Sequence, residues 1–130
     1  MMVEIPDSHP RKRSLISRQK IVDGKAKGIL ADSAMIAHGR GEAFDYLLGE
    51  KTTDSARLAI EEAARRLKRA KKPVISVNGN TVVLAGKELI RVAAVLSCPI
   101  EVNLYYRTPE RVTKLLSILS SHKKDVAREQ

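Results

Sequence analysis

The sequence predicts an α/β domain: a helical N-terminal region, then a small parallel sheet with covering helices. Three observations predict it. Apolar residues recur at helical spacing in several stretches. Two short runs, 74–77 and 100–106, have strand composition. A helical stretch lies between those runs, and strand–helix–strand implies a parallel pair joined by a right-handed crossover. The 130 residues hold one domain at most, and a 43% hydrophobic share suffices for a core. We expect residues 1–121 to form that domain and 122–130 to be a polar, frayed tail.

Taken in order, Ser8 before Pro10 reads as a helix start. Leu15, Val22, Ala26 and Ile29 then fall on one helical face, weakened at its end by Gly24 and Gly28. A loop is expected over about 30–40, ending in His38-Gly39-Arg40-Gly41-Glu42, with a short helix from about 41 to 48. Thr53 caps the next helix and Asp54 sits in its first turn. Ala56, Ile60, Ala63, Leu67 and Ala70 make its expected buried face.

Pro73 opens the first strand, Val74 to Val77, which ends in Asn78-Gly79-Asn80. Helical character resumes over 87–97, where apolar residues cover most of the circumference, as in a helix pressed between a sheet and a partner. Pro99 opens the second strand, with Ile100, Val102, Leu104 and Tyr106 alternating with Glu101, Asn103 and Tyr105. Thr108-Pro109-Glu110 starts the last helix, with Val112, Leu115, Leu116 and Leu119 as its core stripe. Two strands are few for so many helices, because parallel sheets are normally wider and covered. A strand hidden in 29–37, residues this chain lacks, or a second copy would complete the sheet.

Composition excludes several functions. Aromatics are 3% with no Trp, too few for a base-stacking platform. One cysteine excludes a disulfide framework or a CxxC metal site. The three histidines lie too far apart for local zinc spacing, so no metal site is expected. No apolar run approaches the ~20 residues of a membrane span. The start at Met1 shows no basic region followed by an apolar one, so a cytoplasmic protein is expected.

The net charge is +9, unevenly distributed. Seven cations oppose two acids over 57–72, whereas 29–56 is acidic. Lys and Arg at 65–72 complement the negative pole of a helix that Pro73 stops. They would otherwise serve a nucleic-acid face, but no standard nucleic-acid motif accompanies them.

In open parallel sheets, ligands bind beyond the carboxyl ends of the strands. Asn78-Gly79-Asn80 follows one strand and Arg107 the other, so a parallel pair puts them at one edge. Asn-Gly-Asn alone reads as a tight turn; with Arg107 it equally marks a ligand crevice. In His38-Gly39-Arg40-Gly41, glycines would let backbone approach a phosphate beside the Arg40 guanidinium, or form a flexible loop. The dinucleotide and P-loop fingerprints are both absent. Arg11 and Arg18 lie two turns apart on one face, fit for a triphosphate or for solvent.

Residues 4–11, 36–50, 73–80 and 101–108 together resemble the N-terminal half of the archaeal phosphopantothenate synthetases, also called 4-phosphopantoate–β-alanine ligases. Glu4-Ile5-Pro6-Asp7-Ser8-His9-Pro10-Arg11 and Ile36-Ala37-His38-Gly39-Arg40-Gly41-Glu42 carry the first two blocks, Pro73 to Asn80 the third and Glu101 to Thr108 the fourth. Lys12 stands where members commonly carry an aromatic. The resemblance implies a homodimeric, Rossmann-like ligase of coenzyme A biosynthesis that uses ATP with Mg2+. The substrates would be 4-phosphopantoate and β-alanine, joined through an acyl-adenylate. It implies ATP contacts at Arg18 and Arg40. His38, Gly39, Gly41, Asn78, Gly79, Asn80, Asn103 and Arg107 are then candidates for the substrate crevice. A basic chain suits anionic substrates. The second reading is a non-catalytic basic module that contacts nucleic acid or another polyanion.

Overall fold

The computed structural model describes residues 4–129, so Met1–Val3 and Gln130 of the expected tail lie outside it. Five helices and two strands follow in order. They are α1 (Lys12–Ala26), α2 (Ser33–Leu48), α3 (Asp54–Arg69), β1 (Ile75–Val77), α4 (Gly79–Leu96), β2 (Ile100–Val102) and α5 (Pro109–Glu129). The strands pair in parallel, Ile75 with Ile100 and Val77 with Val102. The Ile75 N–H donates to the Pro99 carbonyl and the Asn103 N–H to that of Val77, extending the ladder at both ends. The α/β class and the parallel pair are therefore as expected.

The helix α4 is the centre of the molecule. It packs against α5, α1, α2 and β1, and α5 closes over β2. Ile21 of α1, Val77 of β1, Val82 of α4 and Leu115 of α5 meet as the largest fully buried side chains. Ile29 and Leu30, between α1 and α2, join this core.

Several boundaries differ from expectation. No strand forms in 29–37, and no loop spans 30–40: α2 is helical from Ser33 through both glycines to Leu48. Glycine in a helix interior costs roughly 0.5–1 kcal/mol relative to alanine. Here ion pairs to Glu42 from Arg18 of α1 and from Arg11, which caps that helix, hold the segment. Gly49 ends it at φ 86°, a left-handed cap where glycine has no Cβ to clash.

On α1 the buried positions are Ser14, Ile21 and Gly24, one residue off the expected stripe, and Val22 is exposed. The first turns, at His9 and Lys12, precede the helix rather than opening it at Pro10. Thr53 caps α3 as expected, its hydroxyl accepting from the Ala56 N–H at 3.2 Å. Yet α3 buries none of its residues, and Ile60 is 62% exposed.

The strand β2 stops at Val102 instead of continuing to Tyr106. Asn78 is not a turn residue: its side-chain oxygen accepts from the Thr81 N–H at 2.9 Å and starts α4 eight residues earlier than the apolar pattern implies. Thr108 caps α5 as expected, accepting from the Arg111 N–H.

Composition marks residues after 121 as a frayed tail, but α5 stays helical to Glu129, with Val126 buried against the body. Arg91 bonds both carboxylate oxygens of Glu129, at 2.9 and 2.8 Å, and Lys87 adds a third contact at 3.1 Å. The Arg91 hydrogen bonds first, then those from Lys87, hold the Glu129 carboxyl at about 2, against an ordinary 4.5. A lowered carboxyl pKa means this tie is fully present above the unfolded value and is lost as pH falls from about 4.5 toward 2. Glu129→Gln should therefore lower the melting temperature at pH 7 and leave it unchanged near pH 2. A gap that persists at pH 2 would show that the ion pair is not its cause.

Candidate functional site

The α1–α2 contact is polar where a hydrophobic seam would be usual. Arg11, which caps the start of α1, and Ser14 and Arg18 within it recur at three and four, so one stripe faces α2. Glu42 of α2 is buried and receives both arginines: Arg18 Nη1 donates to Oε1 at 2.9 Å and Arg11 Nη2 to Oε2 at 3.3 Å. Arg11 Nε also reaches Glu50 Oε1 at 3.3 Å, and the Ser14 hydroxyl donates to Glu50 Oε2 at 2.6 Å. Two carboxylates and two guanidiniums thus neutralise each other across the seam. A buried charge needs such partners, because desolvation penalises it otherwise. The Arg11 guanidinium also lies 5.8 Å from the Tyr46 ring centre, within cation–π range.

A cavity of about 750 Å³ opens beside this seam, between α1, α2, the start of α3 and the start of α4. Arg13, His38, Gly41, Lys51 and Asn80 help to line it. His38 shares the inward face of α2 with Glu42, four residues on. Its Nε2 is buried without a hydrogen-bond partner, 3.7 Å from Glu42 Oε1. That distance is too long for a hydrogen bond.

A smaller hollow, about 230 Å³, lies at the carboxyl edge of the sheet. Asn78, Gly79, Asn80 and Tyr106 line it. The parallel strands bring the segments after β1 and β2 to this one edge, as the topology requires. Asn80 lines both hollows, and its side-chain amide donates to the Ala34 carbonyl at 3.1 Å, tying α4 to α2. Gly79 is tightly enclosed: a Cβ there would lie 2.6 Å from Leu30 Cδ2. Its lack of a side chain is a packing requirement as well as a feature of the crevice.

Other expected positions, Gly41 excepted, fall outside these two hollows. Arg40 is exposed on α2, two residues from Glu42 and so about 200° around the helix. Arg18 and Arg40 therefore do not converge within one chain. Gly39 and Gly41 are helical, with open space where a Cβ would stand, so the glycine-flanked phosphate loop is not formed. Asn103 contributes its backbone N–H to the ladder, and its side chain is exposed. Arg107 is exposed away from the smaller hollow. Arg111 lines that hollow instead, its guanidinium donating to the Tyr106 carbonyl at 2.9 Å.

The sequence reading missed Glu42, Glu50 and Arg111. The spacing of Arg11 and Arg18 was a signal for the first two, since paired guanidiniums on a buried stripe require carboxylates opposite. The outer face of α2 carries Ile36, Arg40, Phe44 and Leu47 at spacings of four, four and three. The three apolar members are 63%, 67% and 77% exposed, so apolar surface surrounds the arginine. The basic helix α3 pairs Arg65 and Arg66 with Glu62, lowering that carboxyl's pKa through Arg66 first and Arg65 second. No helix among the described residues is long and apolar enough to cross a membrane.

The family model of phosphopantothenate/pantothenate synthetase matches residues 55–129. A 4-phosphopantoate–β-alanine ligase of Methanospirillum hungatei is 51% identical over 118 residues, 91% of this chain and 49% of that protein. The ligases of the same name from Thermococcus kodakarensis and Thermococcus onnurineus are 48% and 47% identical over 125 residues. Each alignment covers 96% of this chain and 48% of the relative. The chain thus spans about half the length of the curated relatives it matches.

Proposed function

Because the chain belongs to the phosphopantothenate/pantothenate synthetase family, we propose that it forms the N-terminal half of an ATP-dependent ligase of coenzyme A biosynthesis. The ligase joins 4-phosphopantoate to β-alanine and gives 4'-phosphopantothenate. The observation that carries this reading is near-half identity, sustained over more than nine-tenths of the chain, to proteins of that name. The chemistry has two steps. A carboxylate oxygen of 4-phosphopantoate bonds to the α-phosphorus of ATP, pyrophosphate leaves, and an acyl-adenylate remains. The amine of β-alanine then bonds to the acyl carbon, its proton departs, and AMP leaves with the ester oxygen.

ATP and 4-phosphopantoate are both polyanions, and a chain of net charge +9 suits their capture. Arg18 meets the nucleotide from α1, and Arg40 meets it from α2. His38 and Gly41 line the larger hollow, with Gly39 beside them on the same helix, whereas Asn78, Gly79, Asn80, Asn103 and Arg107 serve the acid at the sheet edge. A second copy seated on the apolar outer face of α2 makes the homodimer and brings Arg40 into the assembled site. The two-stranded sheet then belongs to a wider, Rossmann-like layered sheet. Glu42 and Glu50 are both taken up by arginines, so the described residues offer Mg2+ no carboxylate cage. Mg2+ arrives with the nucleotide's phosphates, its usual way into such sites.

Calorimetric titration of this chain with ATP and with GTP tests the reading. Saturable binding with preference for adenine is expected, and it should survive moderate salt. Binding that ignores the base and collapses steeply with salt would favour the polyanion-binding alternative.

A further inference from the structure

We propose that Glu42 is a positioning residue for the nucleotide: from the cavity wall it holds the Arg18 guanidinium in place across the α1–α2 seam before any phosphate arrives. The inference rests on the assignment of Arg18 to ATP. Glu42 sits on the inward face of α2 with a nearly covered side chain, 9% exposed, and its own helix fixes it. Arg18 is the more exposed partner, with a side chain 47% exposed and only Nη1 engaged, at 2.9 Å. Among the described residues no other protein acceptor takes a proton from Arg18. One edge of the guanidinium is therefore pinned, and the remaining N–H donors stay available to an oxyanion. An arginine that is already ordered loses less rotamer freedom when it binds phosphate. Arg11 completes the device by taking the other oxygen of the same carboxylate, so Glu42 is gripped on both sides and cannot swing.

The sign of a charge change separates this role from simple electrostatics. Removing a carboxylate beside an anion site strengthens anion binding if only the field matters. Positioning predicts the reverse. ATP binding should be measured by calorimetry on the wild-type chain, Arg18→Ala, Glu42→Gln and Glu50→Gln. Glu50 is tied to Arg11 and Ser14 and leaves Arg18 alone, so Glu50→Gln removes the same charge from the same seam.

Glu42→Gln is expected to weaken ATP binding about tenfold, the lower range for losing a charge-assisted contact. Glu50→Gln should leave affinity level or raise it. Combining Arg18→Ala with Glu42→Gln should weaken binding no further than Arg18→Ala alone. If Arg18→Ala weakens binding but Glu42→Gln does not, positioning is overturned and the Arg18 assignment stands. If the wild-type chain binds no ATP, or Arg18→Ala is without effect, the assignment fails and takes the positioning role with it.

Should Glu42→Gln not fold, side-chain nitrogen NMR on the wild-type chain carries the test. The Arg18 Nε–H signal should be ordered before nucleotide is added, and that of Arg40 averaged. An Arg18 signal as averaged as that of Arg40 would overturn the proposal.

Discussion

Leu115→Ala is expected to destabilise the chain by about 2–5 kcal/mol, measured by urea unfolding. Leu115 is 0% exposed and sits where α5 meets the core made by Ile21 of α1, Val77 of β1 and Val82 of α4. Truncation removes buried methyl groups and leaves a void lined by three other elements. None of those can collapse independently, since α4 is already fixed by α1, α2 and β1. The core is small, so each large buried side chain carries a big share of a total that is typically only about 5–15 kcal/mol. Leu116, the next residue on the same helix, is 49% exposed and outside that cluster. Leu116→Ala changes composition identically and should cost only a small part of the Leu115 effect. Equal losses from the two would show that α5 does not pack as described.

What the sequence disclosed was what local chemistry decides. Thr53 and Thr108 mark helix starts because a hydroxyl acceptor and an adjacent acid have no better use there. The parallel pair followed from strand–helix–strand order. Local chemistry misled where a distant partner decides. Gly39 and Gly41 signal a loop on propensity alone, yet Glu42 ties that segment to α1 through Arg18, over a separation of 24 residues in sequence. The same seam explains the misplaced face of α1. Its polar stripe at Arg11, Ser14 and Arg18 turns inward, so apolar spacing points one residue away from the true buried line. Asn78 was ambiguous for a different reason. An Asn-Gly pair suits a turn and a helix cap alike, and only the Thr81 N–H reveals which. The apolar side of α3 was legible as amphipathic, but among the described residues no element fully buries it. In the proposed dimer, or in the longer chain of the relatives, such a face has a use.

Arg40→Ala is expected to weaken ATP binding by about 1.5–3 kcal/mol, the range for a hydrogen bond to a charged group. That is roughly one to two decades in dissociation constant at 1.4 kcal/mol per decade. The comparison that gives this meaning is Arg66→Ala. Both residues are exposed arginines on helices, and each substitution lowers the net charge by one. Arg66 is paired with Glu62 on the basic face of α3, away from both hollows. A diffuse field treats the two losses alike, and salt removes both. A nucleotide site built partly by Arg40 does not. Because Arg40 points away from Arg18 within one chain, its effect should also depend on association. Dilution below the dimer's dissociation constant should erase the difference between wild type and Arg40→Ala. Arg18→Ala should still weaken whatever binding a single copy retains. Equal effects of Arg40→Ala and Arg66→Ala at every concentration would remove Arg40 from the site.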